Sequence, residues 1–80
     1  MKLLESKVVY FDYGGDKYRI VLDLYKTVVH YVLFKLGYEI PCRKGSLKYK
    51  DINFNVASRY YSLSKYHKIA IKIIKEYENC

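Results

Sequence analysis

The sequence predicts a small α+β sandwich with a ββαββα-like order: an N-terminal β-hairpin, a helix, one or two further strands and a C-terminal amphipathic helix. Three observations carry this. Two β-branched and aromatic runs flank Gly14-Gly15, a broad apolar segment ends at Gly37, and apolar groups recur at helical spacing from Tyr66 to Tyr77. The 80 residues are expected to form a single domain, because a chain this short buries only about 60–65% of its extended surface and builds one core. A hydrophobic content of 51% is too high for a disordered tail.

The hairpin is expected over residues 7–22. KVVYFDY and KYRIVL are strand-forming runs, and Gly14-Gly15-Asp16 between them adopts positive φ at little cost. Val9, Phe11 and Tyr13 then share a face with Tyr18, Ile20 and Leu22, while Tyr10, Asp12 and Arg19 point outward. A helix is expected over 23–36. Asp23 serves as its N-cap, Gly37 stops it, and Tyr25, Val28, Val29, Val32, Leu33 and Leu36 lie on one face. Leu24, Tyr31 and Phe34 broaden that face enough to be compatible with a homodimer.

Strands are expected within 38–54. Pro41 restricts the first to an edge, Lys44-Gly45-Ser46 reads as a turn, and Leu47 to Phe54 alternates until its phase breaks at Lys50-Asp51. Asn55 to Tyr61 reads as a short helical turn. The closing helix is expected over 64–78, capped by Ser64, with Tyr66, Ile69, Ala70, Ile73, Ile74 and Tyr77 as its apolar stripe.

Charge is divided unequally along the chain. The formal net charge is +7, but residues 1–41 hold six basic and five acidic groups, a net of +1. Residues 42–75 hold nine basic groups (Arg43, Lys44, Lys48, Lys50, Arg59, Lys65, Lys68, Lys72 and Lys75) against the single Asp51, a net of +8. At about 100° per residue, Lys65, Lys68, Lys72 and Lys75 fall on one arc of the closing helix. Such an arc is either a solvated face or a surface for phosphates, whose neutralisation turns lysine repulsion into attraction with counterion release. Tyr60 and Tyr61 beside Arg59, and Tyr49 between Lys48 and Lys50, add rings that can stack on unpaired bases.

No catalytic or cofactor signature accompanies this charge. His30 and His67 have no Asp, Cys or Glu at a spacing that makes a ligand pair or triad, and Asp12, Asp16 and Asp23 are dispersed over a turn and a cap. Gly14-Gly15 lacks a phosphate-loop pattern. Cys42 and Cys80 make neither a zinc motif nor a disulfide framework, as expected of a reduced cytoplasmic protein. The apolar segment from Thr27 to Phe34 is too short to span a bilayer, so no membrane is expected as a partner.

These features predict a small, non-enzymatic nucleic-acid-binding protein, with RNA or single strands preferred slightly over duplex DNA. The expected contacts are Arg43, Lys44, Lys48, Lys50, Arg59, Tyr60, Tyr61, Lys65, Lys68, Lys72 and Lys75. The alternative is a protein-interaction module that covers an acidic surface of a partner enzyme, such as a virus-encoded inhibitor, with Phe34 or Ile71 as anchors. Residues 55–75 also have the order of a helix-turn-helix, although bulky Tyr61 stands where the turn usually has glycine.

Leu36-Gly37-Tyr38 followed by Arg43-Lys44-Gly45-Ser46 resembles the helix end and strand turn of the HicA-type mRNA interferases. The resemblance covers at most Asp23 to Glu78 and implies a double-stranded-RNA-binding-like fold. In that family a catalytic histidine follows the Gly-Ser pair. Leu47 occupies that position here, so the resemblance implies RNA binding without cleavage.

Overall fold

The computed structural model describes residues 2–52 and 64–79. It contains four strands, β1 (Glu5–Tyr13), β2 (Asp16–Leu24), β3 (Val28–Lys35) and β4 (Arg43–Lys48), then a 3-10 turn at Tyr49–Asp51 and one helix, α1 (Lys65–Glu78). The strands form an antiparallel meander in the order β1-β2-β3-β4. The α+β class holds; the ββαββα order does not. Among the described residues, no helix is long and apolar enough to cross a membrane.

The hairpin forms where the sequence places it. Gly14 and Gly15 have φ of 60° and 86°, the pair of positive angles that a two-residue turn needs to match the strand twist. Tyr13 pairs with Asp16, and the register sets Val9 opposite Ile20 and Phe11 opposite Tyr18. Asp23 lies in β2, where its Oδ1 accepts from the Ser6 hydroxyl at 2.7 Å, and is not a helix cap.

The helix expected over 23–36 is instead the end of β2, a turn and β3. Val29, Tyr31 and Leu33 are buried, while Val28, Val32 and Phe34 are half-buried and His30 is exposed. That is the period of a strand. A continuous apolar run satisfies helical and strand spacing alike, and Thr27, Val28, Val29, Tyr31, Val32 and Phe34 supply the branched and aromatic side chains that favour the strand. The intervening turn at Lys26-Thr27 is closed by Tyr25 N donating to Val28 O at 2.9 Å. It uses no positive φ, which only Gly14, Gly15 and Gly37 adopt among the described residues. A homodimer face built from Leu24, Tyr31 and Phe34 disappears with the helix. Leu24 and Tyr31 are core, and Phe34 lies on the opposite side of the sheet.

Leu36-Gly37 reverses the chain after β3, with Gly37 at φ 91°. Lys44-Gly45-Ser46, expected as a turn, is the centre of β4. Gly45 pairs with Tyr31, and a Cβ there would lie 2.9 Å from Tyr31 Oη and 3.1 Å from its Cζ. The missing side chain gives the buried Tyr31 ring room to lie across β4. Among the described residues of the expected 38–54 strands, only Arg43–Lys48 forms a strand, and the phase break at Lys50-Asp51 is the 3-10 turn. Phe54 and the helical turn expected at Asn55 to Tyr61 lie outside the described residues, as does the first half of the helix-turn-helix reading.

The closing helix is as expected. Ser64 caps it by accepting from His67 N at 3.4 Å. Its Ile69, Ala70, Ile73 and Ile74 join Val9, Tyr18, Ile20, Leu22, Leu24, Val29, Tyr31, Leu33 and Ile52 in one core. Ile71, expected as an exposed anchor, is only 1% exposed. Two tyrosine–glutamate hydrogen bonds fasten the helix ends: Tyr66 donates to Glu5 on β1, and Tyr18 on β2 donates to Glu78 at 3.0 Å.

Replacing Gly45 by valine is expected to displace the Tyr31 ring and cost about 1–3 kcal/mol. Urea unfolding followed by tyrosine fluorescence measures this, and an unchanged midpoint would contradict the packing described. Burial raises the Tyr18 pKa above its ordinary value, helped by the hydrogen bond to Glu78. The bond to Glu5 raises that of Tyr66. Tyrosines of the unfolded chain ionise near pH ~10, while these two stay neutral in the fold. Stability is therefore expected to be level at lower pH and to fall as the pH rises above about 10. Urea midpoints across pH 8–11 test it, and Tyr18→Phe should flatten the decline.

Candidate functional site

Strand alternation decides what each face of the sheet carries. The inward set is covered by α1. The outward set, Val8, Tyr10, Arg19, Val21, His30, Val32, Phe34, Lys44, Ser46 and Lys48 among others, forms a face that no described element covers. Register groups it into rows across the strands. Tyr10, Arg19 and Phe34 form one, and Val8, Val21, Val32 and Lys44 form the next. Asp23, His30 and Ser46 follow, and Val28 with Lys48 closes the end.

The first row is an aromatic and cationic platform. Arg19 Cζ stands 4.3 Å from the Phe34 ring centroid, a cation–π stack that holds both planar groups in place. Tyr10 beside it is 62% exposed. Further along, the Tyr25 and His30 rings meet edge to face with centroids 5.0 Å apart. The face from Phe34 to Val28 is about 20 Å long, at roughly 3.3 Å per strand residue. Lys17, Lys44 and Lys48 add positive charge to it, partly offset by Asp12 and by Asp23.

A second assembly lies at its far end. Lys26, Thr27, Val28, Lys48, Tyr49 and Lys50 enclose a cleft of about 380 Å³. The two turns that form it are tied together by Tyr49 N donating to Thr27 O at 3.1 Å. Burial raises the Tyr49 pKa, with a smaller contribution from the nearby Glu5 carboxylate.

The helix lysines form a third group on the other layer. Lys65 and Lys75 are exposed, and Lys68 and Lys72 half-buried. The arc is not unrelieved, because Lys72 Nζ lies 3.3 Å from Glu76 Oε1 one turn on. Lys72, Lys75, Glu76 and Asn79 share a cleft of about 540 Å³ with Arg43. Lys65 Nζ and Lys7 Nζ each approach the Tyr66 ring to 5.3 Å. No acidic residue occupies the first turn of α1, so Lys65 and Lys68 stand against the positive end of the helix dipole.

The structure therefore divides the cations that the sequence groups together. Lys44 and Lys48 lie on the uncovered face, Lys50 beside it, and Arg43 with the four helix lysines on the covered side. Arg59, Tyr60 and Tyr61 lie outside the described residues. The reason is local: Arg43 and Lys44 are consecutive in a strand and must point to opposite faces. Lys26, Arg19 and Tyr25 are not among the contacts expected from the sequence, and Phe34 is expected there only as an anchor for a protein partner. The outward phase of Tyr10 and Arg19 was legible; the position of Lys26 was hidden by the helical reading of its segment.

His30 is an exposed residue of β3 on the sheet face. Ser64 Oγ lies 2.8 Å from His67 Nδ1, and the His67 ring packs 5.9 Å from that of Phe11. Among the described residues, no group of His, Cys, Asp and Glu is arranged to hold a metal ion. Comparison with protein-family models, curated proteins and solved structures finds no match to this chain.

Shortening Arg19 to alanine is expected to release the Phe34 ring while changing stability by less than about 1 kcal/mol. A shift in the Phe34 ring proton resonances without loss of fold checks this.

Proposed function

We propose that this chain is a non-enzymatic nucleic-acid-binding protein that lays a single strand, RNA in preference to DNA, across its uncovered sheet face. The observation that carries this reading is the Tyr10–Arg19–Phe34 row, followed on the same face by Lys44 and Lys48. Rings and a guanidinium plane stack on unpaired bases, each base contributing about 1–3 kcal/mol. Lysines spaced along the face neutralise phosphates. A duplex hides the faces of its bases, so a flat stacking surface favours single strands. The strongly basic composition, with an isoelectric point near 9.4, steers a polyanion towards the protein. The lysine arc of α1, on the other layer, supplements this attraction without lying along the same track.

A second reading has its own observation. Leu36, Tyr38 and Ile40 project from the β3–β4 connection, and the last two are 68% and 82% exposed. Exposed apolar groups at a loop tip suit a protein partner, and they replace Phe34 and Ile71 as anchors for an interaction module directed at an acidic surface.

Fluorescence anisotropy with short single-stranded oligonucleotides tests the first reading. Log K is expected to fall linearly with log salt. Phe34→Ala and Tyr10→Ala are each expected to weaken binding by about 5- to 150-fold, the equivalent of one lost stack. Affinity weaker than roughly millimolar at low salt for both RNA and DNA would reject it. A stoichiometric protein partner that survives nuclease treatment and is lost in Ile40→Asp would establish the second reading instead.

A further inference from the structure

We infer that the cleft at the end of the uncovered face is a phosphomonoester site, which receives the terminal phosphate of the bound single strand. The inference rests on the single-strand reading above and adds the recognition of a chain end.

Three lysines line this cleft, largely through their apolar stems: Lys26 from the β2–β3 turn, Lys48 from the last position of β4 and Lys50 from the 3-10 turn. Among the described residues none of them has an ion-pair partner, and all three are exposed. Asp51 follows Lys50 in the chain but does not line the cleft. The backbone from which these lysines project is fixed by hydrogen bonds. Tyr49 N donates to Thr27 O at 3.1 Å, and Ile52 N donates to Tyr49 O at 3.1 Å. Ile52 is itself buried in the core, so the turn carrying Lys50 is anchored from below. Val28 pairs with Lys48 and offers an apolar wall beside the charges.

Two features select a terminal phosphate over an internal one. A phosphomonoester carries about −1.5 to −2 charge near pH 7, against −1 for a diester, so a cluster of three cations attracts it more strongly. The cleft also closes the platform: beyond Val28 and Lys48 the face ends at the two tied turns. A strand running from the Tyr10–Arg19–Phe34 row past Tyr25 and His30 ends at this cleft, with its last sugar against Val28 and its phosphate among the lysines. Recognition is by charge and by hydrogen bonds from three ammonium groups, and no bond is made or broken.

The experiment compares internally labelled RNA oligonucleotides of one sequence bearing a 5′-phosphate, a 3′-phosphate or hydroxyls at both ends. One phosphorylated form is expected to bind at least tenfold more tightly than the hydroxyl-ended form. Lys26→Gln combined with Lys50→Gln should abolish that preference, while Lys75→Gln, at an exposed position of α1 on the other layer, should retain it. Both lysines of the double variant are exposed turn residues, and circular dichroism verifies its fold. In parallel, a nucleoside monophosphate at millimolar concentration should shift the amide resonances of Lys26, Thr27 and Lys50.

Equal affinity for all three oligonucleotides would overturn the phosphate site and leave the platform standing. Amide shifts confined to the cleft, without binding of any oligonucleotide, would support the site and overturn the platform. Neither binding nor shifts would overturn both.

Discussion

The packing of one helix on one side of a four-stranded meander is the constraint on which the rest depends. Ile69, Ala70, Ile73 and Ile74 of α1 supply one half of the core, and the inward residues of β1, β2 and β3 supply the other. With a single helix in the described fold, only one side of the sheet receives such cover. The alternation of each strand therefore determines more than its packing. It sorts the residues of the four strands into those that stabilise the domain and those presented on the opposite side.

Both ends of that helix are fixed by polar contacts, of which only the N-terminal one, to a carboxylate, agrees with the helix dipole. A glutamate in the last turn opposes the helix dipole, yet Glu78 accepts the hydrogen bond of the nearly inaccessible Tyr18. Tyr66 makes the complementary contact to Glu5 at the other end. Tyr77 meets the Tyr18 ring edge to face with centroids 6.4 Å apart. Several of the eleven tyrosines thus serve as amphipathic core residues, with rings packed inward and hydroxyls reaching the rim. Tyr10 shows the other use of the same side chain, exposed on the uncovered face beside a guanidinium.

The distribution of positive charge follows from the same geometry. A net charge along the sequence is a one-dimensional quantity, whereas attraction of a polyanion depends on which charges share a surface within about a Debye length. The second-half cations reach both layers. Meanwhile Lys26 and Arg19, from the nearly neutral first half, join Lys48, Lys50 and Lys44 on or beside the uncovered face. The resulting surface combines aromatic planes with charge along one direction, which is the chemistry a single strand presents in reverse.

The sequence by itself determined the Gly14-Gly15 hairpin, the inward set Val9, Phe11, Tyr18, Ile20 and Leu22, the Ser64-capped closing helix and the excess of cations. Each rests on an interaction between near neighbours: positive φ at adjacent glycines, strand alternation, a cap and helical spacing. Only the tertiary structure decided the state of residues 23–36. Their apolar groups fit either period, the Lys26-Thr27 turn carries no glycine, proline or asparagine, and the choice follows from pairing with β2 on one side and β4 on the other. Gly45 was read as a turn for the same reason, since its role depends on the ring of Tyr31, fourteen positions away in the chain. The placement of Lys26 beside Lys48 and Lys50 also belongs to the tertiary structure, because strand pairing brings together turns that sequence separation keeps apart.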